Sequence, residues 1–68
     1  MGLTPRQRRV LVCVCEGLTN KEIAALEGVS ESAIKATIQQ LFRRLQVRRR
    51  AQLVRVTIEN GLMTGIRA

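Results

Sequence analysis

Several residue types on which enzyme chemistry depends are missing from this 68-residue chain. It contains no histidine, tyrosine or tryptophan, and its five acidic residues are all glutamates scattered along the sequence. These absences leave no general-base pair, no cluster of metal ligands and no glycine-rich phosphate loop. The sequence therefore predicts no catalytic residues, no metal and no cofactor, and the protein is not expected to be an enzyme.

Cysteine is also scarce. Cys13 and Cys15 stand two positions apart, so on a helix their side chains point about 200° away from each other. They are predicted neither to form a disulfide nor to hold a metal together. We expect reduced thiols, as in a cytoplasmic protein, with Cys15 in the core and Cys13 outside it.

Long apolar runs are absent too. The longest, from Val10 to Cys15, is far shorter than the roughly 20 residues that cross a bilayer, and the polar stretch from Thr4 to Arg9 is unlike a secretory signal. The sequence predicts no membrane partner and a cytoplasmic location. At this length we expect a single domain over residues 1–68 with one modest core.

Positive charge is abundant. Twelve lysine and arginine residues outweigh the five glutamates, which gives a net charge of +7 and an isoelectric point near 11.4. Ten of the twelve are arginine, which suits forked contact with phosphate or guanine. This charge predicts a polyanionic partner, and the alternative is a merely soluble basic protein.

Apolar residues recur at helical spacing throughout, which predicts an all-α fold. Capping boxes open at Thr4 and Thr19, Ser30 is a further N-cap, and Gly17 and Gly28 mark helix ends. These signals predict a bundle-like domain of four helices, at about residues 5–16, 20–27, 31–45 and 50–60. A short second helix, a tight glycine turn and a longer basic third helix are typical of a helix-turn-helix.

The same spacing predicts which side chains face inward. They are Val10, Leu11, Val14, Cys15 and Leu18 in the first helix, Ile23, Ala24 and Leu26 in the second, and Ile34, Ile38, Leu41, Phe42 and Leu45 in the third. The opposite face of the third helix carries Ser32, Lys35, Ala36, Gln39 and Arg43. That face has no acid and is narrow at Ala36. The fourth helix has more apolar residues than a small core requires, which indicates a dimer surface.

Four stretches carry a family resemblance: residues 3–6 (LTPR), 16–24 (EGLTNKEIA), 29–35 (VSESAIK) and 47–54 (VRRRAQLV). They resemble the DNA-binding domain of LuxR/FixJ-type (GerE-like) bacterial transcription regulators, over roughly residues 3–62. The order and spacing make the match specific, because the third and fourth stretches together define the lengths of the turn and of the third helix.

The resemblance implies that the second and third helices form the helix-turn-helix, that the third enters the major groove of double-stranded DNA, and that the fourth pairs two subunits into a homodimer. RNA polymerase is a further partner that it suggests. By family position Lys35, Ala36 and Gln39 face the bases, and the outward face of the third helix points to the same three. Their chemistry suits guanine, a thymine methyl and an adenine edge, respectively.

Two further sets of residues follow from the same interpretation. Phosphate contacts are expected from Lys21, Ser32, Thr37, Gln40, Arg43, Arg48, Arg49 and Arg50, and dimer contacts from Leu53, Val54, Thr57 and Ile58. Arg44 and Arg55 are expected to be plain solvated surface.

The chain departs from the family pattern at several positions. Thr37 replaces a usual histidine. Gln46 replaces a glycine, which predicts a left-handed non-glycine residue at a cost of about 1 kcal/mol. Arg49 stands where the family usually has a capping residue for the fourth helix, so we expect a loss of stability of roughly 1 kcal/mol. Glu27 stands where an apolar residue is usual, with Leu26 one residue early, so we expect the second helix to be rotated or irregular at its end.

Several alternatives remain open from the sequence. Glu22 either completes the capping box or contacts an arginine that joins the first two helices. The domain could instead be the promoter-reading part of a sigma-type factor, although residues 47–54 favour the LuxR interpretation. It could also be a protein-interaction module, such as an anti-activator that uses the same basic face. The chain is either a piece of a longer regulator with a receiver or ligand-sensing domain, or a regulator that stands alone.

Overall fold

A computed structural model of the protein describes residues 2–61, and all regular structure in that range is helical. The helices are α1 (Pro5–Cys15), α2 (Asn20–Glu27), α3 (Glu31–Leu45) and α4 (Arg50–Glu59). The predicted all-α class is confirmed, with helix bounds within one residue of those expected. The ends of the predicted domain, residue 1 and residues 62–68, lie outside the described residues.

The first three helices begin at the predicted caps. The Thr4 hydroxyl accepts the Gln7 N–H while the Gln7 side chain accepts the Thr4 N–H, and Thr19 and Glu22 are paired in the same way. Both capping boxes are therefore confirmed, and with them the first interpretation of Glu22. Ser30 caps α3 with its hydroxyl.

The fourth helix is capped in a way that the sequence argument missed. The Arg49 side chain makes no capping hydrogen bond to the first turn. Instead the Gln52 side-chain carbonyl accepts the backbone N–H groups of Arg48 and Arg49, at 3.0 and 3.1 Å. One half of a capping box thus offsets the expected loss at Arg49.

The ends of α2 and α3 both use the left-handed backbone region. Gly28 closes α2 with φ 69°, which costs a glycine little. Gln46 closes α3 with φ 56° and ψ 47°, so the predicted left-handed non-glycine residue is confirmed. The Val47 N–H donates to the Phe42 carbonyl at 3.0 Å and closes the last turn in spite of that strain.

The core lies around α3, because α1, α2 and α4 all pack against it. Its buried apolar members are Val10, Leu11, Val14, Ile23, Ala24, Ile34, Ile38, Leu41, Leu45 and Leu53. Leu18 and Phe42, which were predicted to face inward, are half-buried against this core. Among residues 2–61, no helix combines the length and apolar character needed to cross a membrane.

The prediction that Cys13 lies outside the core was wrong. Cys13 packs partly against the core, because the end of α2 lies beside it with Leu26 and Glu27. Both cysteine side chains are half-buried. Burial raises the pKa of the Cys13 thiol, so the thiol stays protonated at neutral pH.

Leu26 was predicted to face inward and does not. It is 68% exposed, and Glu27 takes the inward place four residues after Ile23. The helix is nevertheless regular up to its left-handed cap at Gly28, so the expected rotation or irregular end is also wrong. The carboxylate is accommodated because it finds cationic partners on α1.

Those partners are Arg9 and Arg6. Arg9 Nε lies 3.0 Å from Glu27 Oε2 and Arg9 Nη2 donates to Oε1 at 3.0 Å, while Arg6 Nε lies 3.5 Å from Oε1. The arginine contact that was considered for Glu22 is therefore made by Glu27, and it ties the end of α2 to α1. Hydrogen bonding by Arg9, helped by the charges of Arg9 and Arg6, lowers the pKa of Glu27 although its removal from water acts in the opposite direction.

This ion pair makes stability depend on pH in one direction. Because the folded protein lowers the pKa of Glu27, its stabilising effect is present at neutral pH and is lost as the pH falls below the ordinary glutamate value of 4.5. We expect Glu27→Gln to lower the melting temperature at pH 7, and the gap to wild type to close on acidification. Thermal unfolding from pH 7 to pH 3 measures this. Glu59→Gln, at an exposed position on α4, is the matched control and should show no such gap.

Candidate nucleic-acid interface

The exposed face of α3 consists of Ser32, Lys35, Ala36, Gln39 and Arg43, all of which are exposed as predicted. Lys35, Ala36 and Gln39 stand at positions i, i+1 and i+4, so they share one side of one helical turn. The opposite side of the helix is core, with Ile34 and Leu41 fully buried. This face therefore projects from the body of the domain, it carries no acid, and its narrowest point is a methyl group.

Most of the residues predicted to contact phosphate are also exposed: Lys21, Ser32, Gln40, Arg43, Arg48 and Arg49. The Gln40 side-chain carbonyl accepts a hydrogen bond from Gln7 Nε2 at 3.2 Å, which joins α1 to α3. The NH₂ group of Gln40 is thus the part that suits a phosphate oxygen.

Thr37 does not fit its predicted place among the phosphate contacts. It is only 9% exposed, and its hydroxyl donates to the Ala33 carbonyl at 3.0 Å. The cause is helical spacing, because Thr37 lies three residues after Ile34 and four before Leu41 and so shares their buried side. We therefore leave Thr37 out of the interface.

Arg50 also differs from its prediction as a phosphate contact. Its side chain is half-buried and turns toward the start of α2, where Nη1 donates to Asn20 Oδ1 at 2.9 Å and Nη2 donates to the Leu18 carbonyl at 2.7 Å. Both terminal nitrogens are thus engaged inside the domain. Arg44 is exposed as expected, and its Nη2 also donates to the Gly2 carbonyl at 2.6 Å.

The predicted dimer residues on α4 divide into two pairs. Leu53 and Thr57 are fully buried in their own subunit, and the Thr57 hydroxyl donates to the Leu53 carbonyl at 2.7 Å. They face α1 and α3, so their assignment to a dimer surface was wrong. Val54 is half-buried against the core and Ile58 is 65% exposed, so this pair alone is accessible to another molecule.

Sequence reasoning missed the hydrogen bonds that join helices distant in the chain. Glu27 carried a usable signal, because it interrupts the buried face of α2 and two arginines stand three residues apart on α1. The contact of Arg50 with Asn20 carried none, because the partners are thirty positions apart and its second acceptor is a backbone carbonyl.

Two helices joined by a tight turn, the second of them long, with an exposed cationic face and a buried apolar one, define a helix-turn-helix domain. Comparison with known proteins identifies the family. Residues 1–57 match the family described as bacterial regulatory proteins, luxR family. The chain belongs to that family, as the resemblance implied.

Several curated proteins are similar to the chain over most of its length. It is 41% identical over 64 residues to the probable transcriptional regulator ycf29 of Cyanophora paradoxa, which covers 94% of this chain and 30% of that protein. It is 37% identical over 62 residues to the response regulator Rre1 of Synechocystis sp., which covers 91% of this chain and 27% of that protein. It is 44% identical over 48 residues to the nitrate/nitrite response regulator protein NarP of Escherichia coli, which covers 71% of this chain and 22% of that protein.

The chain therefore spans less than a third of the length of these relatives. No solved structure is a significant match. Family and relatives together support DNA-binding transcription regulation as the class of function, and the family is one of regulators rather than of enzymes.

Proposed function

We propose that this domain binds double-stranded DNA sequence-specifically, in transcription regulation, with α3 in the major groove. The observation that supports it best is the exposed face of α3, where Lys35, Ala36 and Gln39 project together while the helix packs its other side on the core. A major groove about 12 Å wide admits one helix, and the methyl of Ala36 lets the backbone approach closely. We also propose a cytoplasmic location, because the matching family is one of bacterial regulatory proteins.

Each of the three projecting side chains suits a different base. The Lys35 ammonium donates to guanine O6 and N7, the Gln39 amide pairs with the N6 and N7 edge of adenine, and the Ala36 methyl contacts a thymine methyl. A good bidentate contact, as proposed for Lys35 and Gln39, discriminates against a wrong base by about 1–3 kcal/mol. Together the three side chains give a short half-site its sequence preference.

Phosphate contacts come from the exposed side chains around this helix, namely Lys21, Ser32, Gln40, Arg43, Arg48 and Arg49. The backbone N–H groups at the starts of α2 and α3 add to them, because helix amino termini attract anions. These contacts hold the domain in register and carry no sequence information of their own.

A homodimer through α4 completes the proposal. Ile58 is a large aliphatic side chain left 65% exposed, and Val54 lies one helical turn before it on α4. A two-fold pairing of this surface would bring two copies of α3 to successive turns of the same side of DNA, about 10 base pairs apart.

The base-reading role predicts how Lys35→Ala behaves in site selection from random double-stranded DNA. Wild-type protein should enrich inverted half-sites about 10 base pairs apart. Lys35→Ala should bind the selected site about tenfold more weakly, yet bind random DNA nearly as well as wild type, because a base contact is lost. Arg49→Ala is the matched control and should weaken both alike. Equal losses for Lys35→Ala on both DNAs would contradict the role of Lys35.

The dimer proposal predicts a different effect at Ile58. Replacing Ile58 by aspartate places a charge in the paired surface, so a DNA carrying two half-sites should be bound about 100-fold more weakly, as by a monomer. Leu26→Asp makes the same kind of change at an exposed leucine on α2 and should leave binding to two half-sites intact. Sedimentation of each variant with this DNA reports how many protein copies are bound. Two bound copies of the Ile58 variant with wild-type affinity would exclude this surface.

A further inference from the structure

Arg50 connects two helices that are far apart in the chain. It is the first residue of α4, and its side chain reaches the junction between α1 and α2. There Nη1 lies 2.9 Å from Asn20 Oδ1 and Nη2 lies 2.7 Å from the Leu18 carbonyl oxygen. Both of these acceptors are uncharged oxygen atoms.

The two acceptors stand on either side of Thr19, the residue that caps α2. Leu18 is the last residue before the cap and Asn20 is the first residue of the helix. The fork of Arg50 therefore holds the amino-terminal end of α2 from both sides of its capping residue. Lys21, an exposed phosphate candidate, follows directly in the same helical turn.

An arginine is suited to this geometry and a lysine is not. The guanidinium presents its donors in a rigid planar fork, so one side chain can hold two acceptors at once. A lysine ammonium is a flexible point charge that loses this bidentate geometry while it keeps the positive charge. The two roles of Arg50, as a charge or as a fork, can therefore be separated by a single conservative substitution.

We propose that Arg50 is a positioning residue for DNA binding. It does not contact phosphate itself, but holds the first turn of α2 so that Lys21 and the backbone N–H groups there meet the DNA backbone. The same contact makes α4, the proposed dimer helix, and α2 move as one unit. This inference rests on the proposed DNA-binding function and deepens it.

The test compares Arg50→Lys, Asn20→Ala and their double variant with wild type, at a temperature where circular dichroism shows each to be fully folded. The probe is a selected double-stranded site, with affinity measured at several salt concentrations. Arg50→Lys should bind about tenfold more weakly although it keeps the positive charge, and its slope of log affinity against log salt should fall by up to about 0.9, because the Lys21 phosphate contact that the fork positions is weakened. Adding Asn20→Ala to Arg50→Lys should cause little further loss of affinity, because both substitutions remove the same contact. Arg55→Lys, at an exposed position on α4 outside the proposed DNA contacts, is the matched control and should bind like wild type.

Two results would overturn the positioning role. If Arg50→Lys binds like wild type while Arg50→Ala lowers the salt slope by about 0.9, Arg50 is a direct phosphate ligand. If the variants melt at lower temperature yet bind DNA as wild type does once folded, the contact serves stability alone. Failure of the proposed function itself looks different, because wild-type protein would then bind no DNA at any salt concentration.

Discussion

Replacing Leu41 by alanine is expected to remove most of the stability of the domain. Leu41 lies on α3 with none of its surface exposed, in the part of the core that the other helices share. A Leu→Ala change at such a site costs about 3–5 kcal/mol, because transfer energy is lost and a cavity remains. A 68-residue domain has only about 3–10 kcal/mol in total. Thermal unfolding should show a melting temperature lower by at least about 12 °C.

The same substitution at Leu26 is the matched control, because this leucine is 68% exposed. Leu26→Ala should change the free energy of unfolding by less than about 0.5 kcal/mol. Similar losses for the two variants would mean that Leu26 is buried after all, and that the packing of α2 described above is wrong. Chemical denaturation with both variants gives the free energies directly.

Affinity for DNA should fall steeply with salt. The four cationic phosphate contacts proposed for each subunit predict a slope of log affinity against log salt of about −3.6, at about 0.9 for each phosphate. A rise from about 50 to 200 mM salt would then weaken binding by a subunit about 150-fold, and a dimer should show about twice the slope. Fluorescence anisotropy with a labelled double-stranded fragment measures the slope.

Two variants connect this slope to particular side chains. Arg49→Ala removes an exposed charge and should lower the slope by about 0.9, while Gln39→Ala changes no charge and should leave it unaltered. A flat response of the wild-type protein would contradict the DNA-binding proposal. The basic face would then be better explained as a surface for an acidic protein partner.

The helices could be predicted from the sequence because their signals are local. The Thr4, Thr19 and Ser30 caps each act within three residues of themselves, and each proved correct in its hydrogen bonds. The exposed side of α3 also followed from spacing alone, since a helix with one apolar stripe has one possible outer face. The left-handed Gln46 followed from the family resemblance, because Gln46 stands where the family usually has a glycine.

The errors fall where packing between helices decides the outcome. Spacing placed Leu53 and Thr57 on an apolar helix but did not show which side α1 and α3 would cover. Leu26 and Glu27 were misjudged because an apolar side chain was assumed to prefer the core to a carboxylate, whereas two arginines on α1 stabilise the carboxylate there. Arg50 looked like one of three equivalent arginines, and only its three-dimensional neighbours distinguish it.

The division of α3 into an exposed and a buried side has a consequence for how such domains diversify. Positions 35, 36 and 39 are exposed, while positions 34, 38 and 41 hold the fold together. Substitutions at exposed positions usually change stability by less than about 0.5 kcal/mol. Under the proposed base-reading role, altering these three side chains would give descendants of one ancestral domain new operators, and a library randomised at those three codons should yield mostly well-folded members.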